Sequence, residues 1–159
     1  MLKLTDIVAR SAIVPQLKGA GRDEVITELV DALIAAGAAS ASIRDELVAR
    51  VLDREKKGST GFGRGVAVPH VKHRSVKKMS AAVGLSSGGI DFSALDRQPV
   101  YSVILLLSPD DRPEDHLQAM EAVFKNLSKE TFRRFLRQSA TADDVWALFE
   151  EADGQHMVG

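Results

Sequence analysis

The sequence predicts an α/β domain in which a mixed β-sheet is sandwiched between helices on both faces. Three observations predict it. Strand-like and helical runs are interleaved along the chain. The run from Val100 to Leu107 is almost continuously apolar, as a central strand buried on both faces requires. Two helical segments follow one another before a glycine-rich loop, which breaks the strict strand–helix alternation of a fully parallel sheet.

The elements follow in order. Ala12 to Leu17 is a short β-branched run and reads as the first strand. Arg22 to Ala36 repeats Val25, Ile26, Leu29, Val30, Leu33 and Ile34 at helical spacing, and Gly37 ends it. Ser42, three residues before Asp45, has capping-box spacing and should open a second helix, which carries Ile43, Leu47, Val51 and Leu52 and stops near Lys57-Gly58. The loop Gly58-Ser-Thr-Gly-Phe-Gly-Arg-Gly65 leads into the extended run Val66-Ala-Val-Pro-His70. Met79 to Leu85 and Val100 to Leu107 are β-rich, with a turn expected at Gly88-Gly89. From Pro113 the pattern is helical, with Leu117, Met120, Phe124 and Leu127 on one side; helices around Thr131 to Arg137 and Ala142 to Glu150 follow. Thr141 and Asp144 repeat the capping-box spacing. Trp146, Phe132, Phe135 and Phe149 are placed in the core by spacing. The 159 residues, 45% apolar and 27% charged, suit one domain over residues 1–152 with a frayed tail over 153–159.

Composition excludes several functions. A net charge of −1 supplies no basic field for nucleic acid. No apolar run approaches the roughly 18 residues of a membrane span, and the N-terminus lacks the pattern of a signal peptide, so a cytoplasmic protein is expected. Cysteine is absent, which removes disulfides, thiolate metal sites and cysteine nucleophiles. The glycine loop fits neither nucleotide-binding pattern. It lacks the Gly-x-Gly-x-x-Gly order and the lysine of a phosphate-binding loop, and it runs from helix to strand where those motifs run from strand to helix.

Of the four histidines, His70 stands out. Pro69 before it fixes one backbone angle and biases Val68 towards extended geometry, so an imidazole is held at a strand end beside the loop and the hydroxyls of Ser59 and Thr60. His73, three residues on, suggests a His-x-x-His metal site, but Pro69 argues against a helix, and strand positions three apart face opposite ways; no metal is expected. His73 is placed instead with Lys72, Arg74, Lys77 and Lys78 on a basic rim or an ordinary solvated face. His156 lies in the tail and is given no role.

Arg54-Glu55, Ser59-Thr60-Gly61 and Gly65-Val66-Ala67-Val68-Pro69-His70 together resemble the active-site signature of the IIA domains of the phosphoenolpyruvate-dependent sugar phosphotransferase system, in the fructose, mannitol and nitrogen-regulatory branch. The resemblance continues through Gly89-Ile90-Asp91-Phe92, Ala94-Leu95-Asp96, Gln98-Pro99-Val100, Leu105-Leu106-Leu107-Ser108-Pro109 and His116-Leu117, covering the chain from about Leu4 to Glu150. It implies that His70 is phosphorylated by the small carrier HPr and passes the group to a IIB domain, with Arg54 and His116 as helpers and no cofactor. The alternative it implies is a regulatory protein whose His70 phosphorylation state controls partner binding. No attached IIB or membrane segment lies within the chain, which leads us to expect a free-standing protein and leans towards the regulatory type.

The chemistry suits these residues. Phosphoryl transfer spreads charge over the equatorial oxygens, so positioning and cations dominate. A neutral imidazole attacks through one nitrogen while a hydrogen bond, expected from a backbone carbonyl, holds the other. Arg54 either presents its fork of donors to phosphoryl oxygens or is a solvated helix-end arginine. His116 either donates to the incoming group or caps and packs its helix. Ser59 and Thr60 either bind the phosphoryl group or, with Gly61, stabilise the loop. Phe62 either docks the partner or folds back over His70 or into the core.

Overall fold

The computed structural model describes residues 2–155. In chain order it comprises α1 (Leu4–Ile7), β1 (Val8–Val14), α2 (Arg22–Ala35), a 3-10 turn (Ala41–Ile43), α3 (Arg44–Lys57), β2 (Gly61–Gly63), β3 (Val66–Ala67), β4 (His70–His73), β5 (Ser80–Ile90), β6 (Val100–Pro109), α4 (Pro113–Leu127), α5 (Glu130–Gln138) and α6 (Ala142–Gln155). The strands form one mixed sheet in the order β1-β5-β6-β3-β2, with β4 also paired to β6. β1 is parallel to β5, β3 and β4 are parallel to β6, and β5 and β6 are antiparallel.

β6 shows why the sheet is a middle layer. Val103, Leu105 and Leu107 enter one core, with Val25, Ile26, Leu29 and Leu33 of α2 and Leu47 and Val51 of α3. Ile104 and Leu106 enter the other, with Ala119 and Val123 of α4, Phe132 and Leu136 of α5 and Val145 and Phe149 of α6. Alternate side chains of a strand point to opposite faces, so an unbroken apolar run is buried twice. The expected α/β sandwich is the observed one.

Several boundaries differ for local reasons. β1 begins at Val8, because an edge strand with a register break between Val8 and Ile13 tolerates the exposed Arg10 and Ser11 in its middle. The predicted cap at Ser42 is not used; Ser40 accepts from the Ser42 amide, and the 3-10 turn precedes α3. Gly88-Gly89 is not a hairpin turn but a bulged stretch inside β5, where Gly89 has φ +84° and an added Cβ would lie 2.7 Å from the Pro99 side chain. The Thr141–Asp144 box forms as expected: the Asp144 amide donates to Thr141 Oγ1 at 3.1 Å, and the Thr141 amide to Asp144 Oδ2 at 3.3 Å. Phe135 is 50% exposed and Trp146 half-buried, so only Phe132 and Phe149 of the aromatic set lie fully in the core. α6 continues to Gln155, and Asp153 accepts from the Leu4 and Thr5 amides at 2.9 and 3.0 Å, tying the two ends of the fold together; residues 156–159, including His156, lie outside the described residues.

The loop that leads to His70 is anchored from α3. Glu55, 3% exposed near the helix end, accepts the Thr60 amide at 3.2 Å and the Thr60 hydroxyl. Thr60 in turn accepts the Val68 amide through its carbonyl at 3.2 Å. Glu55→Ala orphans two donors at a buried site and is expected to cost about 1–3 kcal/mol for each. Glu55→Gln keeps one acceptor and should cost less; urea midpoints of the two variants check the order.

Candidate active site

β3 and β4 lie along the same edge of β6, interrupted at Val68-Pro69. Proline has no amide to give a ladder, so the parallel pairing breaks there and resumes at His70. His70 is therefore the first residue of β4, not the last of a strand as the sequence suggests. The ladder break leaves the Val68 carbonyl 3.1 Å from His70 Nδ1. A carbonyl only accepts, so Nδ1 carries the proton, and in the neutral ring the lone pair is on Nε2. The backbone carbonyl expected from the sequence is thus Val68.

Opposite this ring stands His116, in the first turn of α4, with ring centroids 5.7 Å apart and planes at 55°. Pro113 occupies the first helical position, where its missing amide costs nothing. His116 Nδ1 is 2.5 Å from Ser108 Oγ, at the end of β6, and Ser108 is fully buried. Both imidazoles are half-buried. Burial pushes the His116 imidazole below the ordinary histidine range, and the charges of Lys72 and His70 push it the same way.

Arg54 lies in the last turn of α3, exposed, and its Nη1 donates to the Gly58 carbonyl at 2.8 Å. It is tied to the loop and not bonded to either imidazole. The loop hydroxyls are also engaged locally: Ser59 Oγ donates to the Phe92 carbonyl at 2.6 Å and accepts the Gly61 amide at 3.0 Å, while Thr60 faces Glu55. Gly61 allows close packing, since a Cβ there would sit 3.0 Å from that of Ala94. Of the residues singled out from the sequence, the fold brings His70 and His116 face to face and uses Ser59, Thr60 and Gly61 to build the loop behind them.

Residues 6–152 match the family model described as phosphoenolpyruvate-dependent sugar phosphotransferase system, EIIA 2. The chain belongs to this family. It is 34% identical over 149 residues to the nitrogen regulatory protein of Bradyrhizobium diazoefficiens, covering 92% of this chain and 94% of that one. It is 29% identical over 152 residues to the fructose-specific EIIABC component of Bacillus subtilis, covering 96% of this chain but only 24% of that longer protein. Among solved structures, the nitrogen regulatory protein IIA-Ntr of Neisseria meningitidis superposes with a TM-score of 0.81 at 28% identity, over 90% of this chain and 96% of that one. Among the described residues, no helix of this EIIA 2 chain is long and apolar enough to cross a membrane.

Three features of the EIIA 2 site escape the sequence. Lys72 shares the face of β4 that carries His70, because the two are separated by one residue on a strand. Ser108 holds His116, an interaction with no local sequence signal. Third, the predicted stripe Leu117, Met120, Phe124, Leu127 divides: Leu127 is buried and Met120 packs against the core, but Leu117 and Phe124 face outwards. Leu117 is 60% exposed and Phe124 36%; Ala119, Val123 and Leu127 supply the buried face of α4. Phe62, half-buried in β2, packs against Phe124 with centroids 4.9 Å apart and planes tilted by 55°, so it both leans on the core and edges this outer surface.

His73 is not on a basic rim. It is 2% exposed, its Nε2 lies 2.8 Å from Glu46 Oε2, and its Nδ1 accepts the Ser75 amide at 3.0 Å. On β4 it shares the face of Val71, towards α3, away from His70 and Lys72. The hydrogen bond from His73 holds the Glu46 carboxyl below the usual carboxylate range.

The His116 environment makes a titration prediction. Followed by ring-proton NMR, His116 should titrate below the ordinary histidine value, and Lys72→Met should move its midpoint part of the way back up. As pH falls from the ordinary value to the lowered one, the unfolded chain binds this proton and the folded chain does not, so this group withdraws stability on acidification.

Proposed function

We propose that the protein is a phosphohistidine carrier, accepting a phosphoryl group on His70 from an HPr-like phosphocarrier protein and passing it to a IIB domain in the cytoplasm. The observation that carries this reading is the His70 ring: Nδ1 is held by the Val68 carbonyl, which leaves Nε2 as the nucleophile beside a second imidazole. In the transfer the Nε2 lone pair forms the new N–P bond while the donor's N–P bond breaks. The departing electron pair returns to the donor's ring nitrogen, and the His70 proton stays on Nδ1, hydrogen-bonded to the Val68 carbonyl. With Ser108 donating to His116 Nδ1, the neutral His116 ring carries its proton on Nε2 and offers it to an equatorial oxygen; Lys72 adds positive charge. Arg54 spends one guanidinium donor on the Gly58 carbonyl, which leaves the others for a phosphoryl oxygen and makes it a helper in the transfer.

The transfer requires a macromolecular partner to reach His70. His116, Met120 and Phe124 share one stripe of α4, and with Leu117 and Phe62 they form an apolar surface starting at the site itself. Such a surface, ringed by polar groups, suits a transient protein contact.

Incubated with phosphoenolpyruvate, the first enzyme of the system and HPr, the protein should gain one acid-labile phosphoryl group. Absence of labelling with HPr and with its relatives would refute the reading. The near-complete alignment with a nitrogen regulatory protein favours a second reading, in which the same phosphorylation switches a target's affinity. Capture of partners by phosphorylated and unphosphorylated protein separates the two: the carrier delivers its label to a IIB domain, whereas the regulator holds a target in one state only.

A further inference from the structure

On the side of the sheet where β6 begins, a cavity of about 470 Å³ lies between the β2–β3 turn, the loop before β6 and α5. Four arginines line it: Arg64, Arg133, Arg134 and Arg137. Two carboxylates line it as well, yet among the described residues none of the four guanidiniums forms an ion pair. Asp96 is engaged elsewhere. Its Oδ1 accepts the Gln98 amide and its Oδ2 the Arg64 amide, both at 3.0 Å, and these bonds hold its carboxyl below the usual range. Glu130 is left as the single opposing charge with no backbone role, so positive charge prevails locally in a chain of net charge −1.

Neutral groups also hold Arg133 and Arg137 in place. Arg137 lies flat on the Tyr101 ring, 3.5 Å from its centroid. Arg133 Nη1 donates to the Leu127 carbonyl at 2.8 Å. The Arg64 backbone, at φ 60°, donates its N–H to the Asp96 carboxylate, which leaves the guanidinium out of that bond. A guanidinium has five donors, so one carbonyl bond leaves Arg133 most of its capacity, and stacking leaves the edge of Arg137 open. Orienting cations with uncharged partners keeps them available to an anion and removes ordering cost from binding.

We propose that this cavity binds a small metabolite carrying at least two phosphate groups. The volume lies within the range of small-molecule sites and is generous for a single phosphate. Arginine forks match phosphate oxygens in pairs, and four of them exceed the need of one phosphate. Ser102 lines the same cavity. The site is separate from the histidine pair: Ser102 precedes Leu106, the register partner of His70, by about 13 Å along β6 at ~3.3 Å per residue.

Isothermal titration of the full chain with inorganic phosphate, pyrophosphate, fructose 1,6-bisphosphate and ADP tests this. At least one of the last three should bind about tenfold or more tightly than inorganic phosphate, and which one binds identifies the group between the phosphates. Arg64→Gln combined with Arg134→Gln, both exposed positions, should weaken that binding by about tenfold or more, and His70→Ala should leave it unchanged. Amide NMR shifts of the wild-type chain on addition of the ligand supply a readout that needs no variant, and they should cluster at Gly65, Ser102 and α5. The proposal is overturned by no binding at millimolar ligand, by equal affinity for inorganic phosphate, by full affinity in the arginine variant, or by shifts centred on His70.

Discussion

His70→Ala is expected to abolish phosphoryl uptake altogether, below the detection of acid-labile label, while the protein remains folded. In the proposed reading the nucleophile is a single ring nitrogen, His70 Nε2, and the two other described imidazoles are each engaged elsewhere. His116 Nδ1 is engaged by Ser108, and its ring stands 5.7 Å from that of His70, centroid to centroid. His73 is buried against Glu46 on the other face of β4. The fold should tolerate the change because His70 is half-buried and its one hydrogen bond is to a carbonyl at a strand break, where water can take its place. Phosphorylation measured by intact mass, with a thermal melt alongside, checks both halves. Persistent label in His70→Ala means that another residue is the acceptor.

His116→Ala is expected to slow transfer about a hundredfold without abolishing it. Removing one preorganised donor from a transition state in which charge develops typically costs a factor of about 10²–10³. The site here is half open to solvent, which argues for the lower end. Ser108→Ala is the sharper companion. It leaves His116 in place but removes the hydroxyl bonded to its Nδ1, so a smaller loss, about tenfold, should appear in single-turnover transfer from phosphorylated donor. His116→Gln, which keeps a donor group, should recover part of the rate. If all three match the wild type, His116 is a packing residue of α4.

What could be read from the sequence depended on whether the signal was local. The burial of β6 on both faces and the cap at Thr141 follow from side chains acting on their own segment, and both were legible. The place of His70 at a strand boundary was legible because Pro69 is its neighbour and the ladder break it causes is a local event. The placement of His73 was not. The run Lys72-His73-Arg74 looks solvated, and only the pairing of β4 with β6 turns alternate members inwards, where Glu46 of α3 meets the imidazole. α4 misled for the opposite reason. Leu117 and Phe124 face outwards while Ala119 and Val123 join Leu127 in the core, so hydrophobic spacing alone selects only part of the buried face. Apolar side chains placed where burial within the chain does not need them are what a docking surface requires. Arg54 shows the limit of resemblance: its place in the signature is clear, but its observed bond to Gly58 depends on how the helix end meets the loop.

The most direct measurement is on the phosphorylated protein itself. With the chain labelled with nitrogen-15, phosphorus-coupled NMR of the phosphoprotein identifies the ring nitrogen that bears the group. The account predicts phosphorus on Nε2 of His70, with the Nδ1 proton retained and hydrogen-bonded to Val68. Phosphorus on Nδ1 of His70, or on either ring nitrogen of His116 or His73, would contradict it.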